Sequence, residues 1–99
     1  MIDSFSQLKL DSNILKAIDE LGFIKPTPVQ GRIIPTLLDE DGDIVCLAQT
    51  GTGKTAAFGL PTLNKIDLNA KYTQALVLSP TRELCKQIAQ DFKNYSKFM

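Results

Sequence analysis

The residues with the clearest chemical potential are Ala48-Gln49-Thr50-Gly51-Thr52-Gly53-Lys54-Thr55. Glycines at 51 and 53 let the backbone adopt positive φ and approach a phosphate chain with no Cβ in the way. Successive N–H groups in such a loop converge on an anion, and the positive end of a following helix adds to the attraction. Lys54 would set a point charge beside the β- and γ-phosphates. The Thr55 hydroxyl is a hard oxygen ligand suited to Mg²⁺. The usual pattern opens with glycine; Ala48 stands there and is small enough to fit. The spacing predicts a nucleoside triphosphate site and names neither the base nor the work done. A plain flexible Gly/Thr linker is the competing reading. It is disfavoured by context, because the loop joins a buried-strand pattern to a helix start.

The elements that must position this loop follow from periodicity. Ile14, Leu15, Ile18 and Leu21 form a helical stripe over residues 12–21, with Asp11 or Ser12 as cap and Gly22 as the left-handed C′ residue. Pro26 ends one element, and Thr27-Pro28 opens the next as N-cap and N1. Its stripe is Val29, Ile33, Ile34, Leu37 and Leu38, and Pro35 is expected to kink or split it. Residues 39–43, Asp-Glu-Asp-Gly-Asp, read as an acidic turn. Ile44-Val45-Cys46-Leu47-Ala48 and Gln74-Ala75-Leu76-Val77-Leu78-Ser79 are short unbroken runs of the kind that form strands buried on both faces of a parallel sheet. A helix is expected over residues 54–66, with Pro61 inside it, and residues 67–73 read as a turn. Pro80-Thr81 opens a last helix with Leu84, Ile88, Phe92 and Tyr95 on one face. The order helix, helix, strand, helix, strand, helix is the beginning of a doubly wound α/β fold.

Composition sets the outer limits. The chain has 99 residues, 43% hydrophobic and 22% charged, which fits a soluble globular unit of one domain at most. Eleven Lys and Arg balance eleven Asp and Glu. That balance excludes a strongly basic nucleic-acid-coating protein but not a local basic patch. Two cysteines and no histidine argue against a disulfide scaffold and a zinc site. Cys46 and Cys85 read as small buried residues. No apolar run approaches the roughly 18 residues of a membrane span. The opening Met1–Leu10 has no basic-then-apolar leader, so a cytoplasmic, reducing setting is expected.

Two local patterns have competing readings. Thr27-x-x-Gln30 is a capping box, with Thr27 at N-cap and Gln30 at N3. Thr81 and Arg82 open an ordinary capped helix, yet a helix start carrying a hydroxyl and a guanidinium also suits a phosphate. Lys71, Lys86, Lys93 and Lys97 are scattered and define no patch.

Taken together, Phe5, the run Gly22-Phe23-Ile24-Lys25-Pro26-Thr27-Pro28-Val29-Gln30, the loop 48–55 and Pro80-Thr81-Arg82-Glu83-Leu84 strongly resemble the DEAD-box RNA helicases. Phe5 lies 17 residues before Gly22. The match is to the family's Q motif (22–30), motif I (48–55) and motif Ia (80–84), in that order, and it covers nearly the whole chain. The resemblance implies a partial RecA-like P-loop NTPase domain with parallel strands and flanking helices. Residues 1–99 would be the N-terminal part of the first such domain, ending in or just after the motif Ia helix.

The resemblance further implies ATP and Mg²⁺ as cofactors. The cofactor-binding residues would be Phe5, Phe23, Lys25, Thr27, Gln30, Gln49, Thr50, Gly51, Thr52, Gly53, Lys54 and Thr55, with Thr55 on the metal. Gln30 would pair with the adenine edge, for which a carboxamide offers both an acceptor and a donor. Phe5 would pack on the adenine face. Pro80, Thr81 and Arg82 would hold the RNA backbone without reading sequence, and Glu83 would order Arg82 or the helix start. The chain contains no Asp-Glu-Ala-Asp or Ser-Ala-Thr segment, so no catalytic residues are assigned and hydrolysis by these residues alone is not expected. Two unpaired apolar strand edges would favour self-association over a stable monomer. The alternative is a non-catalytic nucleotide-binding or interaction module that keeps the motifs as scaffold.

Overall fold

A computed structural model of the chain describes residues 3–40, 42–47 and 53–99. After a short 3-10 turn, Phe5–Gln7, come four α-helices: α1 (Ser12–Glu20), α2 (Pro28–Asp39), α3 (Lys54–Asn64) and α4 (Arg82–Tyr95).

The helix ends follow local chemistry. Asp11 is the N-cap of α1 without a side-chain cap bond; its backbone N–H instead donates to Asn64 Oδ1 at 2.7 Å, tying the start of α1 to the end of α3. Gly22, at φ 86°, closes α1 in the left-handed conformation. The Phe23 N–H reaches the Ile18 carbonyl and the Gly22 N–H reaches that of Asp19, each at 3.0 Å. This double bond pattern is a Schellman end, and it aims Phe23 back at the core. Helix α2 starts on Pro28 with Thr27 as cap, as expected, but Pro35 does not divide it. Proline in a helix interior costs about 3 kcal/mol. Burial of the adjoining Ile34 and the packing of α2 on α3 outweigh that cost. Helix α3 likewise runs through Pro61 and stops two residues earlier than the sequence pattern indicates.

The core gathers Phe5, Leu8, Leu10, Ile14, Ile18, Ile34, Ala56, Leu60 and Tyr95. Fully burying an aliphatic side chain of this size contributes roughly 1.5–3 kcal/mol. Three rings run through it in sequence. The Phe5 and Phe23 centroids lie 5.7 Å apart, and Phe23 meets Tyr95 edge-on at 6.1 Å. Helices α3 and α4 meet at Gly59, where a Cβ would lie 3.0 Å from Phe92 Cε1. A Lys97–Glu20 pair at 2.9 Å joins the turn after α4 to α1 on the surface.

The expected α/β fold is not what forms. Among the described residues there is no strand, and the parallel sheet of a RecA-like domain is absent. The segments expected at 44–48 (described to 47) and 74–79 are largely exposed rather than buried, with Val77 and Ser79 half-buried: Val45 is 88% exposed, Leu47 95%, Leu76 79% and Leu78 84%. A strand exists only as one member of a hydrogen-bonded ladder. No backbone hydrogen bond joins these two segments to each other or to any other described residue. Apolar patterning reports which residues seek burial; it does not supply the neighbour. Cys46 and Cys85 are also exposed, contrary to expectation. The first lies on an unpaired segment and the second on the open side of α4. The connection 67–74 is closed locally instead. Gln74 Oε1 accepts from the Asp67 N–H at 2.9 Å, and Gln74 Nε2 donates to the Asp67 carbonyl at 2.8 Å.

Burial, aided by the nearby Asp91 carboxylate, pushes the Tyr95 phenol up from 10.0 to about 12. The folded chain therefore holds the phenol's proton more tightly than the unfolded chain. The contribution is intact below pH 10 and is lost as pH rises from about 10 to about 12. Urea unfolding across this window should show a falling midpoint for the wild type and a shallower fall for Tyr95→Phe.

Candidate nucleotide-binding site

The site is built where the start of α2 meets the start of α3. Gln30 is the third residue of α2, and its carboxamide is only 4% exposed as a residue. Gln30 Oε1 accepts from the Thr27 N–H at 2.9 Å, while Thr27 Oγ1 accepts from the Gln30 N–H at 3.3 Å. This is the reciprocal capping box that the sequence pattern anticipates. The other end of the same amide reaches across the site, with Gln30 Nε2 donating to the Gly53 carbonyl at 3.2 Å. Capping and contact with the glycine loop are thus made by one side chain at once.

Gly53 is the N-cap of α3 and sits at φ 82°. A Cβ there would collide with Gln30 Nε2 and lie 3.3 Å from Thr27 Oγ1. Glycine is needed at 53 for two independent reasons, the left-handed backbone and the close approach. Lys54 and Thr55 follow on the first turn of α3, Lys54 exposed and Thr55 half-buried. The expected phosphate-loop residues Ala48, Gln49, Thr50, Gly51 and Thr52 lie outside the described residues.

Gln30, Gly53, Lys54 and Thr55 form the polar end of a cavity of about 590 Å³, whose other walls include Ile33, Phe58, Leu84, Ile88 and Tyr95. Lys54 is its one cationic lining residue among the described residues. The polar end is where a triphosphate could be held, and the apolar remainder suits side chains rather than phosphate. No cluster of three metal-ligating side chains occurs among the described residues. The Thr55 hydroxyl is a single hard oxygen; it fits Mg²⁺ only as one of six ligands beside phosphate and water oxygens. Gln87 and Asp91 also line this cavity and were not singled out by motif. Their signal is spacing, since they sit four apart on α4 beside Leu84 and Ile88.

The remaining expected residues are placed differently. Phe5 and Phe23 pack on each other in or against the core. Lys25 is exposed in the connection between α1 and α2. Pro80, Thr81 and Arg82 form an exposed start to α4. Thr81 Oγ1 accepts from the Leu84 N–H at 3.1 Å, and Ser79 Oγ donates to the Thr81 carbonyl at 3.2 Å. The Thr81 hydroxyl still has its proton to donate, and Arg82 carries positive charge at the positive end of the helix. That is an electrostatic setting for an anion.

Two glycines separate backbone from contact effects. Gly22 also has positive φ, but a Cβ there would meet nothing within 4 Å. Gly22→Ala should therefore cost only the left-handed term, about 1–2 kcal/mol. Gly53→Ala should cost more, because Gln30 must also give up its contact. Urea unfolding of the two variants side by side checks the order.

Comparison with known proteins identifies the family. A family model described as DEAD/DEAH box helicase matches residues 27–99. The chain is 49% identical over 96 residues to an ATP-dependent RNA helicase DeaD of Buchnera aphidicola, covering 97% of this chain and 16% of that protein. It is 48% identical over 96 residues to DeaD of Escherichia coli, covering 97% and 15%. The chain thus spans about one sixth of the length of these relatives. Among solved structures, a DEAD box protein from Methanococcus jannaschii superposes with a TM-score of 0.90 at 40% identity, covering 95% of this chain and 26% of that one. Dbp5 of Saccharomyces cerevisiae, bound to RNA and ADP BeF3, gives 0.94 at 37% identity, covering 98% and 25%. With a family model spanning most of its length and these relatives along nearly all of it, the chain belongs to the DEAD/DEAH box helicase family.

Proposed function

We propose that these residues are the ATP-recognition portion of an ATP-dependent RNA helicase, an enzyme that couples ATP hydrolysis to RNA binding and strand separation. The observation that carries this reading is the 3.2 Å bond from Gln30 Nε2 to the Gly53 carbonyl, which sets an adenine-competent carboxamide beside the glycine that opens α3. Gln30 would read the adenine edge, the loop 49–53 with Lys54 would hold phosphates, and Thr55 would offer one oxygen to Mg²⁺. Thr81 and Arg82 at the start of α4 would hold an RNA phosphate, independent of base sequence. The names of the DeaD relatives and the RNA-bound state of Dbp5 support this assignment. Because the sequence contains no Asp-Glu-Ala-Asp segment, the 99 residues by themselves would bind ATP without hydrolysing it.

Calorimetric titration of the 99-residue chain with Mg²⁺-ATP tests this reading. The wild type should bind, Gln30→Ala should bind about tenfold more weakly, and Lys54→Ala should lose most affinity. A wild type that does not bind ATP overturns the proposal.

The exposed apolar segments at 44–47 and 75–78 support a second, subsidiary reading, self-association through unpaired backbone. Size-exclusion with light scattering should give a mass above that of one chain, and a uniform 10.9 kDa species counts against it.

A further inference from the structure

We propose that residues 74–79 are a self-complementary edge, through which two copies of this chain pair antiparallel across a two-fold axis at Val77. The inference rests on the self-association reading above and names its segment, partner and register. Exposure along the segment alternates as in a strand. Leu76 and Leu78 are 79% and 84% exposed, whereas Val77 and Ser79 are half-buried. One face is turned toward the body of the chain and the other is bare. Both ends of the segment are fixed. Gln74 is bonded twice to Asp67, at 2.9 and 2.8 Å, and Ser79 Oγ donates to the Thr81 carbonyl at 3.2 Å. Among the described residues, none exchanges a backbone hydrogen bond with residues 75–79. The edge is therefore presented ready for pairing, with little left to order on association.

Charge selects this segment over the other exposed one. Sheet edges are normally guarded against pairing by charged side chains, and residues 72–81 hold no charge. Residues 44–47 begin directly after Asp39, Glu40, Asp41 and Asp43, an acidic run that guards that edge. The bare face then sets the register. Leu76 and Leu78 must stay on one side when the copies join, and a slip of one residue would turn one copy over. Placing Val77 opposite its counterpart in the second copy keeps the leucines together. It also sets each Leu76 opposite a Leu78, so the four leucines cover one another on a single face. The interface is isologous: each copy offers what the other lacks. A ladder of about six residues is roughly 20 Å long. Even with four leucines it falls below the ~1,200 Å² at which standard interfaces begin, so the dimer is weak and reversible.

Sedimentation velocity of the 99-residue chain, diluted from about 500 to about 5 μM, reads the association. The wild type should fall from twice 10.9 kDa to 10.9 kDa on dilution. Leu76→Lys alters a bare side chain, so the fold should hold while the dimer weakens by about tenfold or more. Val45→Lys charges an equally bare residue of the other segment and should leave the dimer unchanged. Cross-linking reads the register. In a Cys46→Ser, Cys85→Ser background, Val77→Cys faces its own counterpart, and a short bifunctional thiol reagent should join the copies covalently. Val45→Cys in the same background should remain a single chain in denaturing electrophoresis. A dimer that resists Leu76→Lys, or a Val77→Cys chain that does not cross-link, overturns the pairing at 74–79 and leaves self-association standing. A wild type of one-chain mass at every concentration overturns self-association and the pairing with it, and leaves the edge to a segment of a different protein.

Discussion

A buried carboxamide has two ends with opposite hydrogen-bonding character, and in a dry setting both must be satisfied. At Gln30 this constraint organises the site, because the partners lie on two different helices. One end completes the cap of α2 through the Thr27 N–H, and the other takes the carbonyl of Gly53 at the start of α3. The packing of α2 against α3 and the placement of the glycine loop are thereby parts of one arrangement. Gly53 has no room for a side chain as a result, so sequence at one helix start restricts sequence at the other.

The hydrophobic core supports this junction from below. Ile34 on α2, Ala56 and Leu60 on α3, and Ile14 and Ile18 on α1 are buried together. The Schellman end at Gly22 turns Phe23 inward between Phe5 and Tyr95, which brings the segment before α2 into register with the end of α4. The two elements that would carry the nucleotide are held by aliphatic packing. The N-terminal arm is held by rings.

What the sequence reveals here depends on whether the cause is local. Caps, turns and helix faces arise within a few residues, so Thr27 with Pro28, Gly22 and Thr81 could be read directly. The Thr27–Gln30 reciprocity was legible for the same reason. The Gln30–Gly53 bond was not, since it spans 23 residues and no periodicity encodes it. Pro35 does not split α2, because its local steric cost is set against the packing of Ile34. The runs 44–48 and 74–79 are the opposite case: their burial is collective. Val45 and Leu76 have the character of sheet interiors, but a ladder needs a second strand at hydrogen-bond distance, and no described residue provides it. Phe5 and Phe23 carry the motif's aromatic positions, and in the fold Phe23 packs between Phe5 and Tyr95.

The ring contact at the end of α4 has a spectroscopic consequence. The sequence contains no tryptophan and two tyrosines, so the tyrosine emission comes from Tyr72 and Tyr95 with no indole to mask it. Tyr72 stands open to solvent, whereas Tyr95 is buried against Phe23. A soluble quencher discriminates between them: one phenol is reachable at every collision and the other only when the aromatic cluster opens. The protected share of the emission is thus a built-in optical gauge of whether the N-terminal arm and α4 are docked, with no introduced label.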